Sequence, residues 1–170
     1  LLRKGFDVEI ESSTIETRRA AMGLVVTPVN QLYVRNNLNP PDASVVAKPD
    51  AWQVQVEGVR RPATLTLAEL KKMPTETVTM VLQCSGHGRG YFPSKPSGTP
   101  WQTGAAGCVM WTGVPVKELA RRLGGVDRVA KFMTGTGGEV LPAGVDPKTR
   151  VERSVPVAAM EEALLAWELN

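Results

Sequence analysis

Cysteine is scarce. Cys84 and Cys108 are the only two in 170 residues, so a disulfide scaffold is excluded and one bridge is the most the chain can form. No Cys-x-x-Cys pair exists, which removes the usual structural-metal spacing, and both thiols are expected to be reduced. Histidine is scarcer still, with His87 alone. No apolar run approaches the length of a membrane span. The sequence opens at Leu1 with neither a start methionine nor a signal-peptide pattern. Two readings fit that start: a removed export leader, or a beginning inside a longer protein. Charge of one sign is missing as well. The net charge is only +3, and Arg18-Arg19, Arg60-Arg61, Lys71-Lys72 and Arg121-Arg122 are isolated pairs, which excludes a nucleic-acid-binding stripe.

What is present describes one globular domain with a substantial core, at 42% hydrophobic and 22% charged. With 16 glycines and 13 prolines, many turns and irregular connections are expected rather than long helices. Residues 1–31 show no clear period and read as an irregular arm. Residues 52–57 alternate apolar and polar and end at Gly58, the pattern of a half-buried strand. Thr66 and Glu69 form a capping box for a short helix over 67–72 that stops before Pro74. Val116, Leu119, Ala120 and Leu123 recur at helical spacing between Pro115 and Gly124, with Glu118 and Arg122 as a four-spaced pair. A strand is expected at 129–133, a flexible turn at 134–138, a short helix at 158–163 and a strand at 164–169. The glycines at 135, 137 and 138 lack the lysine that a phosphate loop needs.

The chain is organised around residues 78–113. Val78, Met80, Val81 and Leu82 read as a buried strand, and Gly86, Gly88 and Gly90 oppose a helix after it. Cys84 then sits where a strand opens into a tight loop, with Arg89 close by to favour the thiolate. A dinucleotide loop is rejected, because Tyr91 stands where a third glycine belongs and Pro93 and Pro96 forbid the following helix. Residues 91–100 read as a surface loop flanking the Cys84 site, in which Lys95 is either a solvated lysine or an attractor of anions. Taken alone, Cys84 is more readily a small buried hydrophobe than a metal ligand. Cys108, in an apolar run, reads as buried. Trp101 is either a core anchor or a pocket wall, and 33–37 is a polar turn unless Arg35 holds an anion with its fork of donors.

Two segments in order tip this balance. Leu82-Gln83-Cys84-Ser85-Gly86, Arg89, Trp101 before Gly104-Ala105-Ala106-Gly107, and Trp111-Thr112-Gly113-Val114-Pro115 resemble the molybdopterin-binding domain of the sulfite oxidase family. Upstream, Tyr33-Val34-Arg35-Asn36-Asn37 is similar to that family's aromatic-x-Arg-Asn-His cofactor segment, and Arg153-Ser154-Val155-Pro156 to a further segment near the cofactor. Asn37 departs from the usual His, and His87 stands where Asn is usual, as a second layer of hydrogen bonding or a turn residue.

The resemblance implies an α+β, mixed-sheet sulfite-oxidase-type fold, with 1–31 as the arm and 32–170 as an incomplete molybdopterin-binding domain truncated on its C-terminal side. An apolar strand ending at Asn170 leaves an edge without cover, which that truncation would explain. Cys84 is implied as the molybdenum ligand and, with Arg89, Arg35 and Trp101, as the catalytic set. Tyr33, Arg35, Asn36, Asn37, Cys84 and Ser85 are implied at the molybdenum-molybdopterin cofactor. The implied reaction is sulfite oxidation to sulfate with cytochrome c as electron acceptor, in the periplasm. Alternatives are sulfoxide or nitrate reduction on the same fold, or a non-catalytic fragment. Some family members add a dimerisation domain, so a homo-oligomer is also an expectation.

Overall fold

Strand alternation and short caps account for most of the architecture seen in the computed structural model, which describes residues 7–11, 14–35, 44, 47–137, 146 and 152–170. The chain divides into two compact units. One comprises Leu1–Leu38, Thr77–Trp111 and Glu168–Asn170, and the other Asn39–Glu76 and Thr112–Trp167.

In the first unit, β1 (Asp7–Glu11), β2 (Thr14–Thr17) and β3 (Val34–Arg35) form an antiparallel sheet in that order. The arm expected to be irregular therefore carries strands. Its period is invisible because β2 is buried at every position although it reads Thr-Ile-Glu-Thr. Hydrogen bonds make that burial tolerable: the Thr17 hydroxyl donates to the Gln31 carbonyl, and the Glu16 carboxylate accepts two main-chain amides described below.

β6 (Glu76–Gln83) and β7 (Ala106–Pro115) belong to a three-stranded sheet ordered β10-β7-β6, with β10 at Leu164–Leu169. The strand expected over 78–82 exists, but it is not buried. Val78 and Leu82 are half-buried, while Met80 and Val81 are 51% and 64% exposed, because β6 lies at the edge of its sheet. Cys108, expected to be buried, is half-buried on β7. Its amide donates to the Thr27 hydroxyl and its carbonyl accepts from the Thr27 amide. Both cysteines are free thiols, as expected.

The second unit holds the β4–β5 hairpin (Gln53–Val56 and Ala63–Thr66), α1 (Leu67–Leu70) and α2 (Val116–Arg122). The capping box of α1 is complete: the Thr66 hydroxyl accepts from the Glu69 amide, and the Glu69 carboxylate accepts from the Thr66 amide. That amide, and then the hydroxyl, hold the Glu69 carboxyl below its ordinary value. Leu70, Met73, Val114 and Leu119 form the core here, with Val54, Val56 and Leu65 from the hairpin packed on it. The helical stripe of α2 faces that core as its spacing requires. Glu118, however, pairs with Arg121 rather than Arg122. Three- and four-spaced residues are both neighbours on a helix, and the Arg121 fork reaches both carboxylate oxygens.

β8 (Phe132–Thr136) and β9 (Glu152–Pro156) pair antiparallel. The expected turn at 134–138 is thus strand through Thr136, and the strand expected at 129–133 begins three residues later. Cross-strand partners Ser154, Arg153 and Glu152 opposite 134–136 override the local turn signal. Val129 lies outside the strand, 87% exposed. The short helix expected over 158–163 is a 3-10 helical turn at Val157–Glu161. The chain leaves that turn directly for β10, its Ala163 carbonyl accepting from the Val116 amide. The helical content is small beside the strands, so the class is α+β.

Candidate active site

β6 ends at Gln83, and Cys84 is the first residue beyond it. From there the chain turns tightly: the His87 amide donates to the Cys84 carbonyl at 3.0 Å and the Arg89 amide to the Gly86 carbonyl at 2.9 Å. Gly88 takes φ +81°, a left-handed conformation that glycine adopts without steric cost. A 3-10 turn at Arg89–Tyr91 follows.

The loop is fastened along one side. Amides of Cys84, Gly88 and Gly90 donate to the carbonyls of Ala105, Gln102 and Trp101 at 3.0, 2.9 and 2.8 Å. Segment 101–105 is therefore the backing of the Cys84 loop, and it is held in turn from behind. One Glu16 oxygen accepts the Gln102 amide at 2.9 Å and the Gly104 amide at 3.2 Å, while the Thr17 amide donates to the Gly104 carbonyl. Glu16 is only 3% exposed. Sequence reasoning missed it, because a glutamate in a mixed polar stretch carries no sign of burial. Glu16→Ala strands two amide donors and is expected to cost about 1–3 kcal/mol, read as a lower denaturant midpoint. Glu16→Gln, which keeps one acceptor oxygen, should lose less. Equal stability of the alanine variant and the wild type would refute this role.

Arg89 is half-buried, and its guanidinium lies against Gly86 and Gly98 while Nη1 donates to the Thr99 carbonyl at 3.2 Å. Beside it opens a pocket of about 130 Å³ lined by Ser85, Gly86, His87, Arg89, Phe92 and Pro96. That volume suits a small ion and its water, being below the roughly 300–1,000 Å³ of drug-sized sites. His87 lines the pocket with a buried Nδ1 that has no hydrogen-bond partner among the described residues. Buried polar atoms are seldom left so.

Tyr33 stands near Cys84. Burial pushes its phenol above the ordinary value, and the charge of a Cys84 thiolate pushes the same way. The Tyr33 ring meets Trp101 edge-to-face, centroids 5.7 Å apart at 82°. Trp101 itself is fully buried, so it anchors the core behind Tyr33 and does not form an open pocket wall. Arg35 is exposed on β3, opposite Thr14, and is not part of the pocket lining. Cys84 is half-buried and immediately precedes the first lining residue, Ser85. Lys95 is exposed within the 91–100 loop. Asn36 and Asn37 lie outside the described residues. The structure thus gathers Tyr33, Cys84, Ser85, His87 and Arg89, adds Phe92 and Pro96 from the loop expected to flank the site, and withdraws Trp101 into the core.

Comparison with known proteins gives the fold and the family. The solved structure of sulfane dehydrogenase SoxCD from Paracoccus pantotrophus superposes with a TM-score of 0.72 over 99% of this chain and 41% of its own, at 19% identity, which establishes the fold. Mitochondrial sulfite oxidase of Drosophila melanogaster is 27% identical over 146 residues, and the NAD(P)H nitrate reductase of Hordeum vulgare 32% over 152. Each alignment covers 85% of this chain, but the chain spans only 25% and 17% of those proteins. The model of the oxidoreductase molybdopterin binding domain matches residues 41–170, and the chain belongs to that family.

Proposed function

We propose that this chain supplies the metal-holding part of a molybdenum oxidoreductase that converts sulfite to sulfate and passes the electrons to a cytochrome c. The observation that carries the reading is a free thiol at the end of β6, in the loop whose next residues line a small pocket together with the Arg89 guanidinium. The residues fit a bound molybdenum-molybdopterin. A thiolate is the soft ligand such a metal takes, and the orphaned Nδ1 of His87 offers a buried polar atom in want of a partner. Cys84 would hold the metal. Tyr33, Arg35, Ser85, Asn36 and Asn37 are the proposed neighbours of the organic part.

When bound, the cofactor supplies two-electron oxygen-atom transfer; in balance, sulfite and water give sulfate, two protons and two electrons. The protein's share is to position and tune. Arg89 lines the pocket, and its fixed positive charge draws in an oxyanion. The main-chain bonds to segment 101–105 keep the loop from drifting, since a misplacement of about 1 Å is costly to a reacting pair.

Nitrate reduction is the second reading, supported by the nitrate reductases among the relatives at up to 32% identity. A substrate panel separates the two. Protein made in a host that assembles the cofactor is expected to reduce cytochrome c with sulfite. Oxidation of a reduced dye by nitrate, with no response to sulfite, would replace the first reading with the second.

A further inference from the structure

The Arg89 guanidinium lies between two glycines on either side of it in sequence, Gly86 and Gly98. A Cβ built on Gly86 would stand 2.9 Å from Cζ and Nη1 and 3.0 Å from Nη2. One built on Gly98 would overlap Nη1 and stand 3.0 Å from Cζ. Real Cβ atoms do not approach so closely, so the plate occupies space that exists only because both positions lack a side chain. Thr99, the residue after Gly98, accepts from Nη1 at 3.2 Å and is 7% exposed. Segment 98–99 therefore fixes the guanidinium by shape and by one hydrogen bond at once. Phe92 and Pro96 of the same loop line the pocket that Arg89 also lines.

We propose that Gly98 is a positioning residue: it holds the Arg89 guanidinium at the pocket, so that loop 91–100 sets how tightly an oxyanion is bound. The proposal rests on the reading of Arg89 as the cation on the substrate side. Arginine is well suited to such a slot because its fork is planar and rigid, whereas a lysine is a compact charge on a flexible stem. Any residue at 98 with a Cβ must displace the plate from its place beside the Thr99 carbonyl. The effect should fall on binding of the anion rather than on the chemical step, as a higher KM at nearly unchanged kcat.

Gly98 also has φ +100°, so alanine there strains the backbone whatever its neighbours do. Gly58, with φ +67° and nothing within 4 Å of a built Cβ, carries the same kind of strain far from Arg89 in sequence and in the other unit, and serves as the control. The experiment uses the cofactor-loaded protein with sulfite as probe, in Gly98→Ala, Arg89→Lys, the double variant and Gly58→Ala. In parallel, the side-chain Nε–H resonance of Arg89 is followed in protein carrying 15N-arginine and assigned by its loss in Arg89→Lys.

Gly98→Ala should raise KM for sulfite about 10- to 100-fold, the range set by losing one hydrogen bond to a charged group, and should shift the Arg89 resonance. Gly58→Ala should do neither. In the Arg89→Lys background the effect of Gly98→Ala should largely vanish, because the plate it collides with is gone. An unmoved Arg89 resonance in Gly98→Ala, an equal shift in Gly58→Ala, or full additivity in the double variant overturns the proposal. If Arg89→Lys alone leaves KM unchanged, the pocket's assignment to the substrate fails instead, and the resonance comparison still decides the role of Gly98.

Discussion

Serine in place of Cys84 is expected to lower sulfite-dependent cytochrome c reduction by at least about 100-fold, the upper end of what losing even an outer partner costs a metal site. The change is small in volume and leaves the loop intact. The hydrogen bonds at this position run from the Cys84 amide to Ala105 and from the His87 amide to the Cys84 carbonyl, and both belong to the main chain. The unfolding midpoint should therefore stay close to that of the wild type while activity falls. A hydroxyl stays protonated at neutral pH and is a hard donor, so it replaces neither the charge nor the softness of a thiolate. Cys108→Ser is the matched control. That residue, on β7, is tied through its main chain to Thr27, and its substitution should leave turnover near the wild-type rate. Comparable loss in both variants, or in neither, would contradict the assignment of Cys84.

Trp101→Ala should have the largest effect on stability. The side chain is fully buried, and removing a buried tryptophan leaves a cavity worth about 3–5 kcal/mol. Its edge-to-face contact with Tyr33 is worth about 0.5–1.5 kcal/mol beyond area alone. At this chain length the loss corresponds to a fall in Tm of roughly 6–20 °C, with Trp101→Phe in between. Near the site, Tyr33 would lose its support, so KM should rise in whatever fraction stays folded. A Tm within a degree or so of wild type, well short of that range, would show that Trp101 is not the anchor its burial implies.

What could be read in the sequence was local. The Thr66–Glu69 capping box and β10 at Leu164–Leu169 rest on neighbouring residues, and both emerge where their patterns place them. The site was legible in outline for the same reason: the glycines of the Cys84 loop and the change from an apolar run to a turn lie within a few residues. Where partners come from far along the chain, the reading fell short. Thr134 and Gly135 look like a turn until β9 supplies Ser154 and Arg153 opposite them. Met80 and Val81 look like core until β6 proves to be an edge strand. Glu16 reaches amides 86 and 88 residues away, and the slot between Gly86 and Gly98 exists only in three dimensions.

The central claim is that the sulfur of Cys84 is bonded to molybdenum, and absorption spectroscopy at the molybdenum edge tests it most directly. The cofactor-loaded protein is compared with its Cys84→Ser variant at matched metal content. With that bond in place, the variant shows one sulfur fewer around its metal. The same sulfur count in both proteins would contradict it.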